Sequence, residues 1–167
     1  MAHSVAALDL EVDEGVLRRE WRFERFGWGV IAFVLLAGFA GLFGDGPLAS
    51  VSVASADGGA LVRYDRIVRH GTPTEITLHL APAGGVDTIV VVSLDEKYLG
   101  DIDVRDVSPS PLGVRASSGR VEYRLLRLSP TEPMTVVFSV QPGAAGVRRA
   151  LLGTSHGTLQ LPQLVLP

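Results

Sequence analysis

Apolar residues follow three rhythms along this chain. Near the N-terminus Leu8, Leu10 and Val12 alternate with Asp9, Glu11 and Asp13, the period of two shown by an extended segment. Residues 26–43 then form one apolar run, with no charge between Arg25 and Asp45. Past Gly44-Asp45-Gly46-Pro47, short stretches rich in Val, Ile, Thr and Leu are separated by Gly, Pro and Asp clusters, which is how strands and turns alternate in an all-β domain.

The uncharged run predicts a helix. At ~1.5 Å of rise per residue it reaches roughly 28 Å, close to the ~30 Å hydrocarbon thickness of a bilayer. A single transmembrane helix is therefore expected over residues 26–44. Residues 1–25 are expected to be a cytoplasmic arm leading, after Gly15, into a juxtamembrane helix. Arg18, Arg19, Arg22 and Arg25 precede the run and the next basic residue is Arg63, a bias that keeps the N-terminus in the cytoplasm and places residues 45–167 in the periplasm. Trp21, Phe23, Phe26 and Trp28 fall at the inner interface, where aromatic rings settle and arginines reach headgroups. Arg18, Arg19, Trp21, Arg22, Arg25 and Trp28 are the expected interface anchors.

A cleaved signal peptide would use Ala54-Ser55-Ala56, with Arg18-Arg19 as a loose twin-arginine match. The apolar run exceeds the ~7–15 residues of a signal core, the small-residue motif lies far past its end, and acids crowd the segment before it. A retained anchor in a bacterial inner membrane is the expectation. Ala37, Ala40, Gly41 and Gly44 follow i, i+3, i+4, i+7 spacing and make a smooth strip where another helix can approach, while Val30, Ile31, Phe33, Val34, Leu35 and Phe39 are left for lipid. The span holds no ionisable residue, so it is expected to anchor or pack and not to conduct.

Beyond the anchor, strands are expected at 48–56, 60–68, 74–80, 88–94, 101–107, 113–116, 120–128, 134–141, 147–152 and 158–165, with Asp57-Gly58-Gly59 as a hairpin turn. Ile76, Leu78 and Leu80 oppose Glu75, Thr77 and His79, and Val121, Tyr123 and Leu125 oppose Arg120, Glu122 and Arg124, so these strands bury one face. The run Ile89-Val90-Val91-Val92 lacks alternation and is expected at a central position. Asp95-Glu96-Lys97-Tyr98 reads as a single turn with Tyr98 filling a corner of the core. The fold class is mainly β: one N-terminal transmembrane helix followed by an immunoglobulin-like two-sheet sandwich.

Composition narrows function more than it names it. The 167 residues carry a net charge of −3 with both signs interspersed, which leaves no basic stripe for nucleic acid. Cysteine is absent, so disulfides and thiolate chemistry are excluded. Gly153-Thr154-Ser155-His156-Gly157 matches the G-x-S-x-G nucleophile elbow, but that chemistry needs a following helix and then an acid and a histidine. Only residues 158–167 follow, without either, so the motif reads as a turn. His3, His70, His79 and His156 are scattered without ligand spacing, and Asp101, Asp103 and Asp106 lack the glycine and terminal glutamate of a calcium loop. Arg63, Arg66 and Arg69, with Asp65, read as solvated strand charges, with a docking patch for an acidic partner as the alternative. No enzyme activity, metal or cofactor is expected.

The sequence resembles an uncharacterised bacterial family of single-pass membrane proteins with a small immunoglobulin-like extracytoplasmic domain. The resemblance rests on Arg18-Arg19-Glu20-Trp21 to Gly27-Trp28, on Gly41-Leu42-Phe43-Gly44-Asp45-Gly46-Pro47-Leu48, on Leu94-Asp95 to Tyr98-Leu99, on Val107-Ser108-Pro109, and on the closing Gln163-Leu164-Val165-Leu166-Pro167. It implies the architecture and no catalytic residues. The expected role is a non-enzymatic accessory or scaffolding subunit whose partners are integral membrane subunits and the lipid bilayer, with any pigment or lipid contact at its periphery. Energy-transducing assemblies, such as a photosynthetic reaction centre with its antenna or a respiratory complex, are candidate hosts, and no residue selects one. The alternative is an envelope ligand-binding or sensing protein with a cleft at one end of the sandwich.

Overall fold

The computed structural model describes residues 14–39, 49–83 and 88–167. The chain divides into two units, the first ending at Phe39. Its helix, α1 (Glu14–Phe39), spans 26 residues. It starts before Gly15, so the expected juxtamembrane helix and the beginning of the expected span are one continuous element. No proline interrupts it, and one glycine near a helix start costs only about 1 kcal/mol. Among the described residues no helix is long and apolar enough to cross a membrane. The first half of α1 is charged, and residues 40–44 of the expected span lie outside the described residues.

The second unit is a mainly β, two-sheet sandwich. One sheet has the order β1 (Ser50–Ala54), β2 (Ala60–Asp65), β4 (Thr74–Leu80), β9 (Met134–Pro142) and β6 (Ile102–Ser108). The other has the order β3 (Ile67–Arg69), β11 (Gly157–Leu166), β10 (Gly146–Thr154), β5 (Ile89–Asp95), β8 (Arg120–Leu126) and β7 (Gly113–Ser117). Neighbours are antiparallel except β3, which lies parallel to β11.

The stretch expected as one strand over 60–68 is two strands in different sheets. Val62 and Tyr64 are buried, but the next position in their row is the exposed Arg66, which interrupts the apolar face. The Arg66 backbone serves both sheets: its N–H donates to the Ala49 carbonyl just before β1 (2.7 Å), and its carbonyl accepts from Leu164 N–H of β11 (2.6 Å). Here the chain changes layers.

Alternation elsewhere becomes burial as expected. Ile76, Leu78 and Leu80 are buried on β4, and Tyr123 and Leu125 on β8. With Val62, Val92, Leu94, Val136, Phe138, Leu152 and Leu161 they form one core between the sheets. Tyr123 and Phe138 meet edge to face across it, centroids 5.3 Å apart at 79°. β5 sits in the interior of its sheet between β10 and β8, as its unbroken valines suggest, yet it buries one side only: Ile89 and Val91 are exposed. The expected single turn is α2 (Glu96–Leu99), N-capped by the Asp95 carboxylate, which accepts from Tyr98 N–H at 3.2 Å.

Tyr98 lies in a polar bridge within the core. Its hydroxyl donates to Gln163 Oε1 (2.5 Å), and Gln163 Nε2 donates to the Asp65 carbonyl (2.9 Å). Tyr98 and Gln163 are each 2% exposed, so the bond between α2 and β11 is out of contact with water, and the half-buried Asp65 carbonyl ties the end of β2 to it.

Candidate functional site

Successive strands bring five connections to the end of the sandwich opposite Ser50: the 55–59 hairpin, the segment entering β5, the 109–112 and 127–133 links, and the β10–β11 hairpin. At the first, the buried Ser55 accepts Ala60 N–H on its Oγ (2.9 Å) and donates to Asp57 Oδ1 (2.6 Å), which also accepts Gly59 N–H at 3.1 Å. The other oxygen, Asp57 Oδ2, lies 2.8 Å from His156 Nδ1. This contact clasps the β1–β2 hairpin of one sheet to the β10–β11 hairpin of the other. Gly59 is required for it, because a Cβ there would strike the His156 ring. The Ser55 hydroxyl, then His156 and Gly59 N–H, hold the Asp57 carboxyl far below the usual carboxylate range, since each favours the charged form.

Two clefts open on this end. β10 pairs with β5 only through Leu152–Leu94 and Gly153–Ser93, so the strands part beyond them. A cleft of about 610 Å³ lies there, lined by Ile89, Val91, Arg120, Arg127, Gly153 and His156 among others. The second, about 420 Å³, is lined by residues including Pro109, Leu112, Leu126, Arg127, Leu128 and Met134. Both volumes fall within the range of small-ligand sites. Arg127, which lines both, is the only buried charged side chain among the described residues. Its Nη1 donates to the carbonyls of Ala81 (2.9 Å) and Glu132 (3.5 Å), which pins two distal segments to each other. Leu128 is 91% exposed at the rim. Sequence reading missed Arg127 and the leucine rim. An arginine between two leucines on a strand expected to run to residue 128 was the available signal, since one of the three had to break the apolar row.

The expected site residues separate into three groups. On α1, Trp21 and Trp28 are exposed, and the Arg25 guanidinium lies 4.3 Å from the centre of the Trp21 ring, a cation–π contact one helical turn long. Arg18, Arg19 and Arg22 lie on the same helix. Of the expected packing strip, Ala37 is half-buried on α1. Ala40, Gly41 and Gly44 lie outside the described residues.

The remaining candidates take ordinary structural positions. Gly153-Thr154-Ser155-His156-Gly157 is the tip of the β10–β11 hairpin: Thr154 pairs with Gly157, and its Oγ1 accepts His156 N–H at 3.1 Å. No helix follows the serine. His70 Nε2 lies 3.1 Å from the Gly143 carbonyl and His79 Nδ1 lies 3.0 Å from Thr135 Oγ1. Asp101 faces Arg148 Nε at 3.1 Å, a charge contact without hydrogen-bond alignment, since that nitrogen has no hydrogen-bond partner. Among the described residues no three His, Asp or Glu side chains converge as a metal site would require. Arg63, Arg66 and Arg69 are exposed.

No family model matches the chain and no curated protein matches it. Among solved structures it is similar to a cohesin module from Clostridium perfringens ATCC13124 family 33 glycoside hydrolase, at 12% identity and a TM-score of 0.39, over 69% of this chain and 98% of that one.

Proposed function

We propose that this chain is a non-enzymatic accessory subunit, anchored in a bacterial inner membrane by one helix and bracing a larger membrane assembly with an immunoglobulin-like periplasmic sandwich. One observation carries the reading: Val30, Ile31, Phe33, Val34, Leu35, Leu36 and Phe39 of α1 are all exposed, on every side of the helix. A helix that is apolar all round is stable only when lipid or protein surrounds it. The run continues in sequence through Ala40-Gly41-Leu42-Phe43, which gives the length a crossing needs. The Arg25–Trp21 contact at its polar end suits the cytoplasmic headgroup layer.

Because the chain contains no cysteine, single cysteines report topology directly. Thr77→Cys, on the outer face of the sandwich, is expected to react with a membrane-impermeant maleimide in intact spheroplasts, and a cysteine replacing Ala7 only after lysis. The reverse pattern, or recovery of the chain in the soluble fraction, refutes the anchor. Affinity purification in mild detergent tests the subunit role: stable co-purifying membrane proteins are expected, and a lone monomer argues against it.

The second reading, an envelope protein that binds a ligand, is favoured by the paired clefts meeting at Arg127. It predicts saturable binding of an envelope component by the chain, lost on filling the larger cleft with Val91→Trp, at an exposed position of its lining. It also predicts that Ala37→Leu with Gly41→Leu leaves function intact, whereas the subunit reading predicts loss of co-purification.

A further inference from the structure

β7 is paired along its whole length with β8, yet all five of its residues are exposed. Ser118 and Gly119, both at positive φ (53° and 74°), close a tight hairpin into β8 and hold the strand in register. Val114 and Ala116 stand opposite Tyr123 and Val121, so they continue the face that builds the core. The facing sheet ends at β6 and leaves them uncovered: Val114 is 54% exposed, and Leu112 just before the strand 61%. Among the described residues β8 is the only strand neighbour of β7, so one side of its backbone ladder is open.

Proteins usually blunt such edges with shortness, bulges or inward charges. Two other edges of this sandwich follow that practice. β3 has three residues, and β6 carries a register shift between Val104 and Asp106 with Asp103, Arg105 and Asp106 exposed. β7 has no bulge, no proline and no charge on its apolar side. Its other face is basic: Arg115 stands opposite Glu122, Arg120 and Arg124 flank that glutamate, and Asp95 of β5 stands opposite Arg120, three guanidinium groups against two carboxylates in a chain of net charge −3.

We propose that the β7 edge is a docking strip for an extended segment of a partner protein, which adds to the sheet as a further strand. Its chemistry follows from the two faces. Residues beside Val114 and Ala116 are apolar and complete the uncovered core margin, while those alternating with them are acidic and lie beside Arg115. Main-chain hydrogen bonds supply affinity, and alternate side chains supply choice, as in other strand additions. A second copy of β7 is a poor occupant, because the fully overlapped antiparallel register sets Arg115 against its own symmetry mate, and like charges directly opposite are destabilising.

This deepens the accessory-subunit reading and relies on it for the existence of a partner, but its test does not depend on whether the helix crosses a membrane. Amide hydrogen exchange of the full chain in detergent is measured with short synthetic peptides, one alternating valine with aspartate and one alternating valine with lysine. The acidic peptide is expected to slow exchange in Gly113–Ser117 by roughly tenfold or more, and the lysine peptide to have no effect. Arg115→Gln, at an exposed position and uncharged opposite Glu122, should leave the thermal midpoint nearly unchanged and remove most of the preference for the acidic peptide. The proposal is overturned if neither peptide protects β7, if both do so equally, if protection falls only on β1 or β6, or if β7 becomes protected with rising protein concentration alone, the mark of a second copy.

Discussion

The Tyr98–Gln163–Asp65 bridge makes the sharpest statement about what holds the sandwich together. Replacing Tyr98 by Phe keeps the ring, which is 2% exposed, and removes the hydroxyl that donates to Gln163 Oε1. No water reaches that oxygen, so it is left buried without a donor. The expected destabilisation is about 1–3 kcal/mol, the desolvation penalty of an orphaned group and not the smaller net worth of a hydrogen bond. Gln163→Leu should cost more, because it strands the buried Tyr98 hydroxyl and also removes the donor of the half-buried Asp65 carbonyl. The double variant strands only the carbonyl, so its cost should fall short of the sum by about 1 kcal/mol or more. For a domain of this size each kcal/mol moves Tm by roughly 3–6 °C. Intrinsic tryptophan fluorescence will not report the change, since Trp21 and Trp28 both lie on α1; far-UV circular dichroism during urea unfolding will. Burial, with the Asp95 charge acting in the same direction, pushes the Tyr98 hydroxyl well above the ordinary tyrosine value of 10.0. The fold therefore retains a proton that the unfolded chain releases, so the contribution is intact below pH 10 and is lost as pH rises above it. Burial also raises Tyr64 and Tyr123, so Tyr98→Phe should make the alkaline loss shallower without abolishing it. A Phe variant within ~0.5 kcal/mol of the parent, or an additive double variant, would refute the argument that this bridge is a sealed network.

Three other outcomes are expected. Gly59→Ala should expel His156 from its place against the hairpin, seen as loss of the Asp57-dependent shift of the His156 ring protons by NMR and a fall in Tm of a few °C, roughly 1 kcal/mol. The Asp57 carboxyl is depressed in the fold, so its contribution is present above its ordinary value of 3.8 and lost as pH falls below that; Ser55→Ala and His156→Ala should each flatten the acid limb of a Tm–pH curve, Ser55→Ala the more. Phe138→Ala, at a position with no exposure and an edge-to-face contact with Tyr123, should lower the urea unfolding free energy by about 3–5 kcal/mol.

The architecture was legible because its strands bury one face at a time. Glu75 to Leu80 and Arg120 to Leu125 announce their period in sequence, and burial follows it residue by residue. Two features were not legible, for different reasons. The break at Arg66 has only a weak local mark, one charged residue in the Val62–Tyr64 row, and the change of sheet is a tertiary event in which the Arg66 N–H and carbonyl pair with opposite sheets. The valines of β5 carry no alternation because the outer side of that strand is apolar as well. Ile89 and Val91 border the larger cleft, so the failure of the period rule marks an exposed apolar surface beside it.

The distal site was illegible for a reason that also limits its chemistry. His156 meets Asp57 across 99 positions, and Tyr98 meets Gln163 across 65; no spacing rule reaches so far, and a match such as G-x-S-x-G is a stronger local signal than either. Once folded, the balance reverses. The serine of the motif sits exposed on a hairpin tip, while the histidine beside it is committed to an aspartate on the other sheet and orients no nucleophile. A triad needs its histidine between an acid and a hydroxyl, and His156 has only the acid. The same residues that suggested hydrolysis thus serve to join two hairpins. They join opposite sheets at the β1–β2 and β10–β11 hairpins, with β5 and β8 lying between β10 and the open β7 edge, so the commitment of His156 to Asp57 is a matter of how the sandwich is closed.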